Sequence, residues 1–157
     1  MLRCTELDPQ LGHVGEIVHV DATLIASLLD GGFIPVIATV GMDDNGIPYN
    51  INADTAAAEI AIALHAEKLV SMTDIVGLLY DKDDESTLIP EVEISEIEGY
   101  KAHGVISGGM IPKTMNCIHA VEHGGGSVTV LDGRMEHAVL LEAIAEKSLG
   151  TTMEKKK

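Results

Sequence analysis

The stretch Tyr49–Asp54, Y-N-I-N-A-D, lies between an apolar segment and an alanine-rich one and marks a change from extended chain to helix. Alternation along an extended segment places Asn50 and Asn52 on the same side of the backbone. Asp54 follows at or just before the first turn of a predicted helix, where a carboxylate can accept hydrogen bonds from free backbone N–H groups. The stretch is therefore either a polar site or a helix cap that follows two turn-forming asparagines.

Strands and helices alternate along the rest of the chain. The predicted strands are Gly15–Val20, Phe33–Val40, Lys68–Thr73 and Ser127–Leu131. The predicted helices run from Asp21 to Leu29, from Thr55 to Ala66, from about Ser95 to Ala102, from the Val105–Lys113 segment to about His123 and from about His137 to Glu146. Gly41–Pro48 is predicted to be a hairpin, because its Asn45-Gly46 pair is typical of a tight β-turn. Met1–Leu11 has no clear period and is predicted to be irregular.

The composition limits the fold class. With 157 residues the chain can bury a sizeable core, and we expect one domain over residues 1–157. Hydrophobic residues make up 46% of the sequence and aromatic residues only 3%, so the core must be aliphatic. Aliphatic strands that alternate with helices favour an α/β fold, a three-layer α/β/α sandwich with a mainly parallel sheet and the β-hairpin as an excursion.

The charge and the cysteines exclude several classes of protein. A net charge of −15, with only 10 scattered basic residues, argues against binding to nucleic acid. Cys4 and Cys117 have no CxxC partner, so neither a zinc site nor a disulfide framework is predicted. No apolar run reaches the length of a membrane span, and no signal-peptide pattern opens the sequence. We therefore expect a cytoplasmic protein with two reduced thiols and no membrane partner.

A second candidate site follows the predicted strand Lys68–Thr73 and includes a glycine-rich segment. Asp74 stands at the carboxyl end of that strand, where open α/β sheets bind their ligands. Val105–Lys113, V-I-S-G-G-M-I-P-K, places two glycines and a lysine at the start of a helix. Such a start suits phosphate groups, since the backbone can approach closely and the helix N-terminus is positive. An ordinary glycine loop before a proline-started helix explains the pattern equally well.

Four segments, read together, resemble one family. They are Y-N-I-N-A-D at Tyr49–Asp54, T-D-I-V-G-L-L at Thr73–Leu79, V-I-S-G-G-M-I-P-K at Val105–Lys113 and D-G-R-M-E-H-A-V-L-L-E at Asp132–Glu142. In this order they are similar to the C-terminal, nucleotide-binding half of the N-acetylglutamate kinases, a branch of the amino acid kinase family. The resemblance covers residues 12–153.

The resemblance implies a role for each matching residue. Lys113 is implied to stabilise the transferring phosphoryl group, and Asp54 to hold the catalytic lysines in place. Asn50 is implied to contact the amino-acid substrate, with Asn52 fixing the turn beside it in the same substrate-binding stretch. The residues implied to bind ATP are Thr73, Asp74, Ile75, Val76, Gly77, Leu78, Leu79, Val105, Ile106, Ser107, Gly108, Gly109 and Met110.

The implied reaction is the transfer of a phosphoryl group from Mg-ATP to the γ-carboxylate of N-acetyl-L-glutamate, on the arginine pathway. This chemistry fits the residues, because a carboxylate is already ionised near neutral pH and needs no general base. Catalysis then rests on positioning and charge stabilisation. The sequence contains no convincing carboxylate cluster for a metal, so Mg²⁺ is expected to be held mainly through the ATP phosphates.

The family's N-terminal, substrate-binding half has no counterpart in these 157 residues, since no lysine precedes Lys68. We therefore expect the ATP-binding half of an acetylglutamate kinase, without turnover on its own. An uncovered sheet edge and apolar surface are expected to cause self-association into a homo-oligomer, or association with a chain that supplies the missing half.

A third set of residues resembles the arginine-inhibited members of the family. It consists of His137, Glu142 and Gly150. Arginine is therefore a candidate effector, although an ordinary histidine at a helix start is the simpler interpretation of His137. The alternative function is a non-catalytic module that binds a nucleotide or arginine and regulates a partner.

Overall fold

The computed structural model describes residues 1–156. The chain forms two compact units, an amino-terminal unit, Met1–Leu64, and a carboxy-terminal unit that begins at His65. Each unit has its own four-stranded sheet. The single domain expected from the chain length stays a prediction, which an unfolding experiment on separate units can test.

The amino-terminal unit contains four strands and two helices. They are β1 (Leu2–Glu6), β2 (Gly15–Val20), α1 (Thr23–Asp30), β3 (Val40–Met42), β4 (Pro48–Asn50) and α2 (Ala53–Leu64). The strand order is β2-β1-β3-β4. β1 pairs with β2 antiparallel and with β3 parallel, and β3 and β4 form an antiparallel hairpin.

The core of this unit lies where Y-N-I-N-A-D meets the sheet. Tyr49 and Ile51 are buried together with Leu2, Cys4 and Ala56 of the neighbouring elements. Gly15 and Gly41 line the same core, and a Cβ at Gly15 would lie 2.7 Å from the Cβ of Tyr49. Glycine is therefore needed there for the close approach of the chains.

The carboxy-terminal unit contains the remaining elements. They are β5 (Lys68–Thr73), β6 (Glu91–Glu93), α3 (Ile97–Ala102), α4 (Met110–Glu122), β7 (Ser127–Asp132), α5 (Ala138–Ile144) and β8 (Thr151–Glu154). The strand order is β5-β7-β8-β6. β5 and β7 run parallel in full register, from Lys68 opposite Ser127 to Thr73 opposite Asp132. β8 is antiparallel to β7 and parallel to β6.

The central strands β7 and β8 are the most deeply buried part of the carboxy-terminal unit. Val128, Val130, Leu131 and Met153 are fully buried. Thr151 is also buried, and its hydroxyl accepts a hydrogen bond from the backbone N–H of Leu78 at 2.8 Å and donates one to the carbonyl of Ile89 at 2.7 Å. The Thr151 hydroxyl thus has both a donor and an acceptor, as most buried hydroxyls have at least one partner.

The α/β fold class and the hairpin are confirmed, but parts of the predicted arrangement are wrong. The expectation of a mainly parallel sheet is not met, because three of the six strand pairings in residues 1–156 are antiparallel. Met1–Leu11 is not irregular, since Leu2–Glu6 forms a strand. The hairpin loop spans residues 43–47 and is organised by the Asp43 carboxylate, which accepts hydrogen bonds from the N–H groups of Asn45 and Ile47.

The predicted buried strand Phe33–Val40 is wrong. Only Val40 belongs to a strand, and Ile34 and Val36 are 90% and 97% exposed. The apolar run suits a strand in the interior of a sheet, but the described chain offers residues 34–38 no backbone hydrogen-bonding partner.

Cys4 and Cys117, the two cysteines of the chain, are both buried, and neither forms a disulfide. Within residues 1–156, the helices are all too short or too polar to cross a membrane.

Candidate functional site

Y-N-I-N-A-D occupies the end of β4 and the start of α2 in the amino-terminal unit. Ile51 is only 2% exposed, while the flanking Asn50 and Asn52 are both exposed. The predicted alternation is therefore confirmed, and the two amides are available to a ligand. The backbone N–H of Asn50 donates to the carbonyl of His13 at 2.8 Å, and that of Ile51 donates to Thr39 at 2.9 Å, so main-chain bonds hold the stretch in place.

The residue that caps α2 is Asn52 and not Asp54. The side-chain oxygen of Asn52 accepts a hydrogen bond from the backbone N–H of Thr55 at 3.1 Å, which is the usual geometry of an N-cap. Asp54 lies inside the first helical turn and is half-buried. Its carboxylate is favoured there by the positive helix N-terminus. The prediction of a cap at Asp54 is therefore wrong by two residues. The capping residue is Asn52, whose side chain is also exposed.

The segment Thr73–Leu79 leaves the carboxyl end of β5, next to the end of β7. Thr73 donates to the Asp74 carboxylate at 3.3 Å, and Asp74 itself is exposed. Further along, Gly77 has a φ of +144°, and a Cβ there would lie 2.6 Å from the Thr151 hydroxyl. Only glycine fits this backbone conformation and this space. Gly77 thus fixes the path of a segment whose first residues face solvent.

The V-I-S-G-G-M-I-P-K segment forms the turn before α4 and the first turn of that helix. Gly108 has a φ of +54°, and both Gly108 and Gly109 face open space, since a Cβ added at either position would have no heavy atom within 4 Å. Gly109 is the N-cap residue, and no side chain caps the helix. The N–H groups of Met110 and Ile111 donate to the carbonyls of Ser107 and Gly108, at 3.1 and 3.2 Å, so the open backbone that an anion could approach is that of Gly108 and Gly109. Lys113 is half-buried in the first turns of the same helix.

A cavity of about 590 Å³ lies beside these two segments in the carboxy-terminal unit. It is lined by Tyr80, Ser95, Glu96, Gly99, Tyr100, His103 and Val105. Tyr80 directly follows Leu79, and Val105 opens the glycine-rich segment, so both predicted segments reach its walls. The volume is in the range of small-molecule sites.

The aromatic wall of this cavity is a pair of tyrosines. The Tyr80 and Tyr100 rings are 6.0 Å apart, and their hydroxyl oxygens are 3.5 Å apart. The hydrogen bond to Tyr80, together with burial, raises the pKa of Tyr100 to about 12. The Tyr100 phenol is therefore neutral near pH 7, and the two rings offer flat aromatic faces and hydroxyl groups to a ligand.

Apart from Val105, sequence reasoning missed the residues that line this cavity. A usable signal was present, because the chain has only 3 tyrosines, 1 phenylalanine and no tryptophan. Two of the three tyrosines lie in the same cavity wall. In a chain so poor in aromatic residues, the tyrosine that directly follows the Thr73–Leu79 segment could have been flagged.

The D-G-R motif lies at the carboxyl end of β7, next to the carboxyl end of β5. The Arg134 guanidinium donates to both oxygens of Asp132, through Nε and Nη2 at 2.9 Å each. These hydrogen bonds hold the pKa of the Asp132 carboxyl below its usual value and raise that of Arg134. Gly133 N–H donates to the carbonyl of Thr73 at 2.8 Å, so the turn is tied to the end of β5.

The three residues of the candidate arginine site have different environments. Glu142 is buried, and its oxygens accept hydrogen bonds from Lys68 Nζ at 2.6 Å, from the N–H of Leu149 at 2.8 Å and from the Ser148 hydroxyl at 3.3 Å. Gly150 is approached closely by the carbonyl of Val130.

His137, the third of these residues, is exposed and stands just before α5 with a left-handed φ of +59°. The buried bonds of Glu142 favour a structural role for that residue.

No group of three or more His, Cys, Asp or Glu side chains in residues 1–156 is arranged to hold a metal ion. Asn50, Asn52 and Asp54 belong to the amino-terminal unit. Lys113 and all the residues predicted to bind ATP belong to the carboxy-terminal unit.

Comparison with known proteins identifies a protein family that matches most of the chain. The family described as the amino acid kinase family matches residues 2–132. The acetylglutamate kinase of Actinobacillus pleuropneumoniae is 53% identical, over 99% of this chain and 55% of that protein. The acetylglutamate kinase of Brachyspira hyodysenteriae is 50% identical, over 94% of this chain and 51% of that protein.

A solved structure shares the fold. It is an N-acetylglutamate synthase from Neisseria gonorrhoeae complexed with coenzyme A and L-arginine, with a TM-score of 0.86 and 25% identity. The match covers 99% of this chain and 36% of that protein. The chain thus spans about half the length of the curated relatives it matches.

Proposed function

The chain belongs to the amino acid kinase family, and we propose that it forms the ATP-binding half of an acetylglutamate kinase. The reaction is phosphoryl transfer from Mg-ATP to the γ-carboxylate of N-acetyl-L-glutamate, in the cytoplasmic synthesis of arginine. The identities of 53% and 50% to acetylglutamate kinases support this substrate class. Because those proteins are about twice as long, we propose that these 157 residues alone bind ATP without turnover.

The observation that carries the proposal is the open glycine turn before α4, beside the 590 Å³ cavity. The Gly108-Gly109 turn gives phosphate oxygens access to the backbone N–H groups of these two glycines. Val105 joins this turn to the cavity wall, so that one nucleotide can place its phosphates on the turn and its base against Tyr80 and Tyr100.

The predicted ATP-binding residues can be assigned to the phosphates, the base and the ribose. Ser107, Gly108 and Gly109 take the phosphates, while Met110 and Val105 pack against the base. Asp74 offers an exposed carboxylate at the strand end, the type of group that binds ribose hydroxyls. The remaining predicted residues hold the shape of the site, and they are Thr73, Ile75, Val76, Gly77, Leu78, Leu79 and Ile106. Mg²⁺ accompanies the nucleotide and is held mainly through its phosphates.

Lys113 supplies the positive charge for the reaction. It lies in the first turns of α4, where the helix N-terminus already favours negative charge. Phosphoryl transfer to a carboxylate needs positioning and charge stabilisation and no proton acceptor. A lysine in this position can stabilise the negative charge of the transferring group.

Y-N-I-N-A-D serves the amino-acid substrate. Asn50 and Asn52 have exposed side chains on one side of the chain, and their amides can donate to the carboxylate and acetyl oxygens of the substrate. Asp54 acts as a fixed acidic group that orders basic side chains of the active site. Its place in the first turn of α2 puts its side chain at the positive end of the helix.

Calorimetric titration of the 157-residue chain with a non-hydrolysable ATP analogue tests the proposal. We expect saturable binding that is lost in Gly109→Trp, because the indole would fill the open space before α4. Exposed Ile144→Asp in α5 is the matched control and should bind as the wild type does. Absence of binding in the wild type would refute the nucleotide site. In a separate acyl-phosphate trapping assay with Mg-ATP and N-acetyl-L-glutamate, robust turnover would refute the inactivity of the chain alone.

The second candidate function is a regulatory module that binds arginine. It is favoured by the likeness to the Neisseria synthase, whose solved complex contains L-arginine. Here His137 is the accessible group of the three-residue set, since Glu142 is buried in its own hydrogen bonds. Titration with L-arginine distinguishes the two candidates. Arginine binding that is lost in His137→Ala, without any binding of the ATP analogue, would favour the module.

A further inference from the structure

The tip of the β3–β4 hairpin contains a chemically reactive dipeptide that the proposed site does not use. Asn45 and Gly46 lie in the loop of residues 43–47, and both are exposed to solvent. Gly46 has a φ of +81°, and a Cβ added there would have no heavy atom within 4 Å. The side-chain amide of Asn45 and the peptide bond that follows it are therefore accessible to water.

An asparagine that precedes a glycine can react with its own backbone. The backbone nitrogen of Gly46 loses its proton to solvent and attacks the side-chain carbonyl carbon of Asn45. A five-membered succinimide forms, and the side-chain NH₂ group takes up a proton and leaves as ammonia. Water then opens the ring at either carbonyl and gives aspartate or isoaspartate. Glycine favours ring closure, because no Cβ crowds the attacking nitrogen and the backbone can rotate widely.

The three other asparagines of the chain are internal controls. Asn50, Asn52 and Asn116 are followed by isoleucine, alanine and cysteine, each of which has a Cβ beside the attacking nitrogen. Asn52 caps α2, and Asn116 is half-buried inside α4. Residue 45 is thus the asparagine whose neighbour and exposure both favour the reaction.

Asp43 holds the reactive pair in one conformation. Its Oδ1 accepts hydrogen bonds from the backbone N–H groups of Asn45 at 2.9 Å and Ile47 at 2.8 Å, and its Oδ2 accepts one from Asn45 Nδ2 at 3.4 Å. The N–H of Gly46, the group that must lose its proton, donates to the Asp43 carbonyl at 3.1 Å. Ring closure therefore requires a transient opening of the loop, which these bonds oppose.

We propose that Asn45 is a site of spontaneous deamidation and that the Asp43 carboxylate limits its rate by holding the loop closed. The product is an aspartyl or isoaspartyl residue at the tip of the hairpin. The isoaspartyl form adds one backbone carbon to the loop that leads into β4, the strand that ends at Asn50. The reaction needs neither a nucleotide nor a second chain, so it is independent of the proposed kinase function.

Incubation of the whole chain at neutral pH, followed by peptide mass spectrometry, tests the proposal. Replacement of NH₂ by OH adds one mass unit, and we expect this change at residue 45 at least about tenfold faster than at Asn50, Asn52 and Asn116, since none of them precedes a glycine. An isoaspartate-specific carboxyl methyltransferase should label the peptide that contains residue 45. This comparison uses the wild-type chain and needs no variant.

Two substitutions and a matched control test the role of Asp43. Asp43→Ala should raise the rate at residue 45 by about tenfold, since the hydrogen bonds to the carboxylate are lost. Asp44→Ala is the control and should change the rate by less than about twofold, because the exposed Asp44 carboxylate pairs with Arg3 at 3.6 Å. Gly46→Ala should slow the reaction by at least about tenfold, because its Cβ crowds the attacking nitrogen. Circular dichroism shows whether each variant is folded.

The same measurement on chains unfolded in urea distinguishes an effect of the folded loop from an effect of the local sequence. Wild type and Asp43→Ala should then react at the same rate, since the loop hydrogen bonds are absent in both. Three results would overturn the proposal. They are a rate at residue 45 no higher than at the other asparagines, an unchanged rate in folded Asp43→Ala, and a tenfold difference that persists in urea.

Discussion

Glu142 shows how one buried carboxylate can organise a strand, a helix and a loop. Its side chain is 3% exposed and reaches Lys68 of β5, while its other contacts are to Leu149 and Ser148. Burial alone would raise the pKa of Glu142, but the hydrogen bonds from Lys68 and Leu149 outweigh it and leave the pKa below its ordinary value. A charged group in this position stabilises the fold only while it stays ionised and paired.

We predict that Glu142→Gln lowers the free energy of unfolding by about 2 kcal/mol at pH 7, because the ion pair is broken and the amide has one acceptor oxygen in place of two, so that either Lys68 Nζ or the N–H of Leu149 loses its acceptor. The folded-state pKa is depressed, so this contribution is present above the unfolded pKa and is lost as the pH falls through the folded value. Urea unfolding at pH 7 and at lower pH should show the difference between variant and wild type shrinking. Exposed Glu146→Gln is the control, and an equal loss there would contradict the assignment.

Substitutions at Asn52 and Asn50 can separate the loss of a helix cap from the loss of an exposed amide that caps no helix. Asn52→Ala should lower the free energy of unfolding by about 1 kcal/mol, since the N–H of Thr55 loses its partner. Asn52→Asp should retain the stability, because a carboxylate oxygen can accept the same hydrogen bond. Asn50→Ala, outside the helix and exposed, should change it by less than about 0.5 kcal/mol. Equal losses at the two positions in thermal unfolding would show that Asn52 is not the cap.

At the scale of elements, the proposed nucleotide site depends on the turn before α4. Gly109→Ala tests the proposed phosphate contact there with the addition of a single methyl group. Gly109 has a φ of −65°, and no atom lies within 4 Å of an added Cβ, so alanine should change the free energy of unfolding by less than about 1 kcal/mol. The methyl group would nevertheless stand where phosphate oxygens approach the backbone. We expect calorimetry to show weaker binding of the ATP analogue and unchanged binding of adenosine. Equal effects on both ligands would place the phosphates elsewhere.

Strands and helices whose own sequence has a clear pattern could be predicted. Strands that form only through pairing with other strands could not. Lys68–Thr73 is predicted with its observed bounds, and it pairs along its whole length with β7. Thr151–Glu154 is missed, since T-T-M-E is strand-like only through its pairing with β7 and β6. Phe33–Val40 has the composition of a strand, but the described chain gives it no partner.

The same distinction between predictable and unpredictable features applies to the candidate site. The alternation of Asn50 and Asn52 follows from the period of an extended chain and was therefore predictable. The cavity wall of Tyr80 and Tyr100 was not, because α3 carries Tyr100 to it from 20 residues away in sequence. Which of Asn52 and Asp54 caps α2 depended on where the helix begins, a boundary that local sequence leaves uncertain by a few residues.

At the scale of the whole molecule, the proposed functions fall on different units. All the predicted ATP-binding residues, Lys113 and the cavity lie after His65, while Asn50 and Asn52 lie before it. The carboxy-terminal unit also has its own buried strands, β7 and β8, and its own buried ion pair between Lys68 and Glu142. It therefore contains what a separate folding unit needs.

We predict that residues 65–157, expressed alone, fold cooperatively and bind the ATP analogue with an affinity comparable to that of the whole chain. The reason is that the uncapped α4 start, the open Gly108-Gly109 turn and the tyrosine wall are all retained. Circular dichroism with urea unfolding measures the first property and calorimetry the second. Gly109→Trp in the same fragment is the control and should abolish binding without unfolding. A fragment that stays unfolded would instead support one cooperative domain over residues 1–157, with the nucleotide site dependent on the amino-terminal unit.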